Sequence, residues 1–126
     1  MKNVAIGLLL MGLLTLMLAE SKVFAADFTT LIGRWQRPDG GYIIEIRRID
    51  SEGKMEAAYF NPRPINVSQA RATVQKGYIK VELELRDSGY PGSRYTLVYD
   101  QRSDRLMGFY HHAVSRQDFE VVFVRK

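Results

Sequence analysis

The ten residues from Tyr78 to Asp87 constrain this chain most. Ile79, Val81, Leu83 and Leu85 alternate with Lys80, Glu82, Glu84 and Arg86. A period of two puts every apolar side chain on one face of an extended segment and every charge on the other. A helix would scatter the same residues around its circumference. The segment is therefore a strand with one face against a core and one in water. Such a strand needs partners of the same kind.

The partners are present. Leu31 to Arg37 carries Trp35. Tyr42 to Ile49 sets Tyr42, Ile44 and Ile46 against Glu45 and Arg47. Lys54 to Phe60 turns Met55, Ala57 and Tyr59 inward. Val67 to Val74 turns Ala70, Ala72 and Val74 inward. Arg94 to Asp100 does the same with Tyr95, Leu97 and Tyr99. Arg105 to His112 is apolar on both faces, with Tyr110 inward, and Asp118 to Arg125 turns Phe119, Val121 and Phe123 inward. Eight strands separated by Gly, Pro, Asn and Asp turn signals predict an all-β, eight-stranded antiparallel up-and-down barrel.

Ahead of the strands, Lys2 precedes an uncharged run from Val4 to Ala19. The run is shorter than the roughly 18–20 residues that span a bilayer, which disfavours a stable membrane anchor. Val23-Phe24-Ala25 has the small-residue pattern of a signal-peptidase site. Residues 1–25 are thus expected to be a cleaved signal peptide, and 26–126 a single domain in the periplasm or outside the cell. The chain has no cysteine, so lipid attachment, disulfides and thiolate chemistry are excluded. About 100 residues suffice for one core without covalent staples.

With 18 Lys and Arg against 14 Asp and Glu, the net charge is +4. The cations are scattered, and only Arg47-Arg48 and Arg125-Lys126 are adjacent within the domain. Nucleic-acid binding, which calls for a clustered basic stripe, is not expected.

If strands alternate in direction, the connections fall into two sets. Residues 51–53, 75–77 and 101–104 form one end, tight and polar. Residues 38–41, 61–66, 87–93 and 113–117 form the other, with prolines, an aromatic and fixed charges. Binding residues concentrate in loops held by a rigid scaffold. The second end is accordingly the candidate mouth, with Asp39, Asn61, Arg63, Asp87, Tyr90 and His112 as candidate ligand- or partner-binding residues. Arg63 stands between Pro62 and Pro64, which stiffen its loop and lower the cost of ordering it. It either receives an anion or pairs with Asp87 or Asp39. Tyr90-Pro91-Gly92-Ser93 has the pattern of a type II turn. That turn either lifts Tyr90 as a contact residue or folds it down as a lid. The inward tyrosines fill the barrel or surround a ligand, and buried hydroxyls need partners in either case.

Gly33-Arg34-Trp35 resembles the G-x-W motif of lipocalins and avidins, the calycin superfamily. The resemblance implies that Trp35 closes the barrel bottom and that a basic residue of the last strand, here Arg125, packs on it. Asp39 to Tyr42, Ala57 to Val67 and Tyr90 to Leu97 resemble segments shared by a group of small exported bacterial proteins, which implies export but supplies no activity. The single Trp and the short chain depart from the avidin pattern and speak against biotin.

Catalytic readings are weaker. His111 and His112 are adjacent on a strand and point to opposite faces, so they do not share a metal, and no metal or other cofactor is expected. Ser93 or Ser115 with His112 and Asp87 can be drawn as a triad, but no nucleophile elbow surrounds either serine. Glu82 and Glu84 lie on the solvated face. The expected function is binding of a small molecule at the mouth, or of a protein partner through the mouth loops, rather than catalysis.

Overall fold

The computed structural model describes residues 27–126. The signal-peptide expectation falls on residues outside that range. A short 3-10 helix, Phe28–Leu31, leads into nine strands. They are β1 Gly33–Gln36, β2 Ile43–Ile49, β3 Met55–Phe60, β4 Pro64–Ile65, β5 Val67–Gln75, β6 Tyr78–Asp87, β7 Tyr90–Asp100, β8 Arg105–His112 and β9 Gln117–Arg125. Their order in the sheet is β4-β3-β2-β1-β9-β8-β7-β6-β5, and all pairings are antiparallel. The protein is a nearly closed all-β antiparallel barrel.

The expected eight strands become nine because the 61–66 loop folds back on β3. Tyr59 pairs with Ile65 and Phe60 with Pro64. Pro64 has no N–H to donate, which suits a two-residue strand at the open end of the sheet. Closure occurs lower down. Lys54 bridges Arg71, and Ala72 N–H donates to Gly53 O at 2.7 Å. Gly53 sits at φ +88°, and a Cβ there would lie 1.9 Å from Ala72 O. Only glycine lets the β2–β3 turn reach β5.

The in–out parity read from the sequence holds for most of the barrel. Trp35, Ile44, Ile46, Tyr59, Leu83, Tyr95, Leu97, Leu106 and Phe123 are buried. Each large apolar side chain so buried stabilises the fold by about 1.5–3 kcal/mol against exposure. Two residues expected inside are exposed. Val74 (49% exposed) lies near the β5–β6 turn at the lower end of the barrel, and Phe119 (47%) lies at the open upper end. On β8, Leu106 and Tyr110 face in, while Met107 and Phe109 lie on the outer wall, as two apolar faces require.

The predicted type II turn at 90–93 is corrected. The connection from β6 is the tight turn Ser88-Gly89, and residues 90–93 belong to β7. The ladder shifts there: Leu85 opposes Ser93, Arg86 opposes Pro91, and Gly92 is left over at φ +97°. This bulge moves the alternation by one residue. Ser93 and Tyr95 face inward, so strict alternation would send Tyr90 outward. The bulge returns it to the inner side, opposite Asp87. The left-handed Gly that the turn motif requires is present, but inside a ladder.

The lower end is closed as the G-x-W resemblance implied. Arg125 lies opposite Trp35 in the β1–β9 ladder, and its guanidinium carbon sits 4.1 Å from the indole centroid. The same guanidinium donates to Thr30 O and Ile32 O, and twice to Asp104. Trp35 Nε1 donates to Leu31 O at 2.9 Å. Gly33, at φ +137°, passes beneath Arg125, and a Cβ there would meet Nη1 at 3.0 Å. The spacing of the motif is therefore steric: Gly admits the arginine that Trp supports.

Candidate functional site

Strand direction brings the upper ends of β1, β3, β6 and β8, and the starts of β2, β7 and β9, to one rim. Between them is a pocket of about 510 Å³. Arg37 and Tyr59 form its polar floor. Tyr42, Tyr90, Tyr110 and Phe119 provide aromatic wall, and Asn61 and His112 add polar groups.

Arg37 is the cation of this pocket, and sequence reasoning did not single it out. The parity of β1 contained the signal: Trp35 points inward, so Arg37, two residues on, does too. A buried guanidinium needs an acceptor for its charge, and Asp39 supplies one. Arg37 Nε and Nη2 donate to the two Asp39 carboxylate oxygens at 2.9 and 2.6 Å. Nη1 donates to Tyr95 Oη at 3.0 Å, and the guanidinium stacks 4.1 Å above the Tyr42 ring. Burial disfavours the Arg37 cation, but the bonds to Asp39 and Tyr95 outweigh it, and the pKa is raised. The Arg37 bond holds the Asp39 carboxyl below its ordinary pKa.

Tyr95 passes this order inward. Its hydroxyl lies 2.7 Å from that of Tyr59, and both rings are buried. Burial is the main cause that raises both phenols, Tyr95 to about 12 and Tyr59 further. Both are neutral at physiological pH. Tyr110 packs against Tyr95 at 4.7 Å between centroids, and its pKa is also raised, chiefly by burial.

The six mouth residues chosen from sequence do not all reach this pocket. Asn61 and Tyr90 do, and they meet: Asn61 Nδ2 donates to Tyr90 Oη at 2.6 Å. Tyr90 is half-buried against the core, the lid arrangement rather than a lifted contact residue. His112 also lines the pocket, edge-on to Tyr110. Its Nδ1 accepts the Ser115 backbone N–H at 3.1 Å, so the neutral ring carries its proton on Nε2. Asp39 does not line the pocket but anchors Arg37, which does. Asp87 Oδ2 accepts from Asn66 N–H and Oδ1 from Ser88 N–H, so Asp87 caps backbone at the rim. Arg63 is exposed and outside the pocket; neither Asp87 nor Asp39 pairs with it. β4 turns the segment back along β3, and Arg63 at the turn is left in water.

His111 and His112 separate as parity demands. His111 Nδ1 is 2.6 Å from Asp118 Oδ1, while His112 lines the pocket. Ser115 Oγ lies 3.0 Å from His112 Nδ1, but Asp87 is engaged elsewhere, so the three groups drawn as a triad are not assembled. Among the described residues no cluster of three His, Asp or Glu side chains is set to hold a metal ion. No family model, no curated protein and no solved structure matches the chain.

Proposed function

We propose that this chain is an exported, calycin-like barrel that binds a small molecule in its mouth. The observation that carries the reading is the pocket itself. At about 510 Å³ it exceeds the roughly 300 Å³ at which small-molecule sites begin. Its aromatic wall over a few fixed polar groups is the usual composition of such sites. Core side chains fill the barrel below, and this space lies above them at the mouth. The calycin assignment draws support from Gly33, Trp35 and Arg125, whose contacts give the motif a steric reason.

Mass spectrometry of the protein purified from its native compartment tests the reading. A retained small molecule, absent from a variant with Tyr59→Trp filling the pocket, supports it. A chain of mature mass beginning at Ala26 in the exported fraction supports the signal peptide. A second reading is a protein-binding module that uses the mouth loops. Arg63, exposed on its proline-flanked loop, favours it. A co-purifying protein lost with Arg63→Ala, and no small molecule, decides for that alternative.

A further inference from the structure

We infer that the mouth selects an uncharged ligand that offers hydrogen-bond acceptors, a flat carbonyl compound rather than a carboxylate. The inference rests on the small-ligand reading and adds the chemical class. Its basis is the direction of the protons at the pocket floor.

Arg37 only donates, so Tyr95 Oη accepts from it. Tyr95 is fully buried, and among the described residues the other hydroxyl bonded to it is that of Tyr59. Either hydroxyl can donate to the other, but only donation from Tyr95 to Tyr59 avoids sealing an unpaired proton in the core, since Tyr59 lines the pocket and Tyr95 does not. The Tyr59 proton is then left without an acceptor among the described residues, on a side chain that is 1% exposed yet lines the pocket. A buried donor without an acceptor is costly, and a ligand oxygen removes that cost.

The remaining groups agree. Tyr90 Oη already accepts from Asn61 Nδ2, which leaves its own proton to give. His112 lines the pocket, and with its Nδ1 taken by Ser115 its Nε2–H is left to give. The floor is rich in donors but carries no net charge, because Asp39 holds both forked nitrogens of Arg37. An incoming carboxylate would have to displace Asp39 or sit near it. A neutral carbonyl meets the donors and no repulsion. Tyr42 and Phe119 offer rings for a planar body.

Three probes of one size separate these chemistries: 1-tetralone, 1-naphthoate and tetralin. Binding to the purified protein is followed by amide chemical shifts, with calorimetry for affinity. The expected result is shifts at Tyr59, Tyr90 and His112, with tetralone about fivefold tighter than tetralin, the effect of one hydrogen bond to a buried donor. Naphthoate should bind more weakly than tetralone. Tyr59→Phe should abolish the advantage of tetralone over tetralin. Asp39→Asn, a change at a carboxylate that is mostly exposed, should shift the preference towards naphthoate by removing the competing anion. It serves if Tyr59→Phe fails to fold. Mouth shifts with naphthoate tightest, or with no tetralone advantage, overturn the ligand class and leave the mouth site standing. No mouth shift with any probe overturns both.

Discussion

Replacement of Arg125 by Ala isolates the closure of the barrel bottom. The side chain makes two charge-assisted bonds to backbone carbonyls, at 3.0 Å to Ile32 and 2.8 Å to Thr30. It also forms a forked pair with Asp104 and stacks on Trp35. Hydrogen bonds from a charged donor contribute about 1.5–3 kcal/mol each when shielded. The side chain is one-third exposed, so the lower figure applies. The Asp104 pair, nearly half exposed on the acid side, adds roughly 0–1 kcal/mol. The stack on the indole adds about 0.5–1 kcal/mol. Because these contacts share one side chain, their losses do not sum, and about 2–4 kcal/mol is expected for the whole. In a domain of this size that lowers Tm by roughly 10–25 °C. Urea unfolding followed by Trp35 fluorescence measures it directly. Arg125→Lys keeps the charge but loses the fork, and should recover less than half of the loss. A loss below about 0.5 kcal/mol for Arg125→Ala, or full rescue by Lys, would refute the idea that the guanidinium ties the 3-10 helix, β1 and the β7–β8 turn together.

Three further outcomes are expected. The bonds from Arg125 and then Tyr99 lower the Asp104 carboxyl to about 2. The folded value lies below the unfolded one of about 3.9, so this contribution is present above about pH 4 and lost as pH falls through 2. The stability gap between the native protein and Asp104→Asn should close over that window in acid unfolding curves. Tyr95, raised to about 12 mainly by burial, gives the opposite linkage: its contribution is complete below pH 10 and lost as pH rises through 12. Phenolate absorbance should accordingly fall short of seven tyrosines at pH 11 while the fold persists. Gly53→Ala should destabilise by about 2–4 kcal/mol in urea, because its Cβ collides with Ala72 O at the closing seam. A variant as stable as the native protein would mean the barrel closes elsewhere.

Sequence by itself determined eight of the nine strands and most of their faces. Alternation in Tyr78–Asp87 and its neighbours is local, and the side-chain period of a strand follows from backbone geometry alone. The meeting of Trp35 and Arg125 was implied by the G-x-W resemblance, with strand direction bringing the end of the last strand to the level of Trp35. Parity also held Arg37, two residues beyond an inward Trp35. What only the tertiary structure decided is which mouth residues meet. Arg63 and Arg37 are both cations at the same rim. The β4 fold-back leaves one in water, while the barrel wall seats the other on Tyr42 and Tyr95. Tyr90 faces the pocket because a single unpaired residue, Gly92, reverses the alternation of β7. Alternation is a property of each strand, whereas fold-backs, bulges and closure depend on how neighbouring strands register. The contents of the pocket follow from that register.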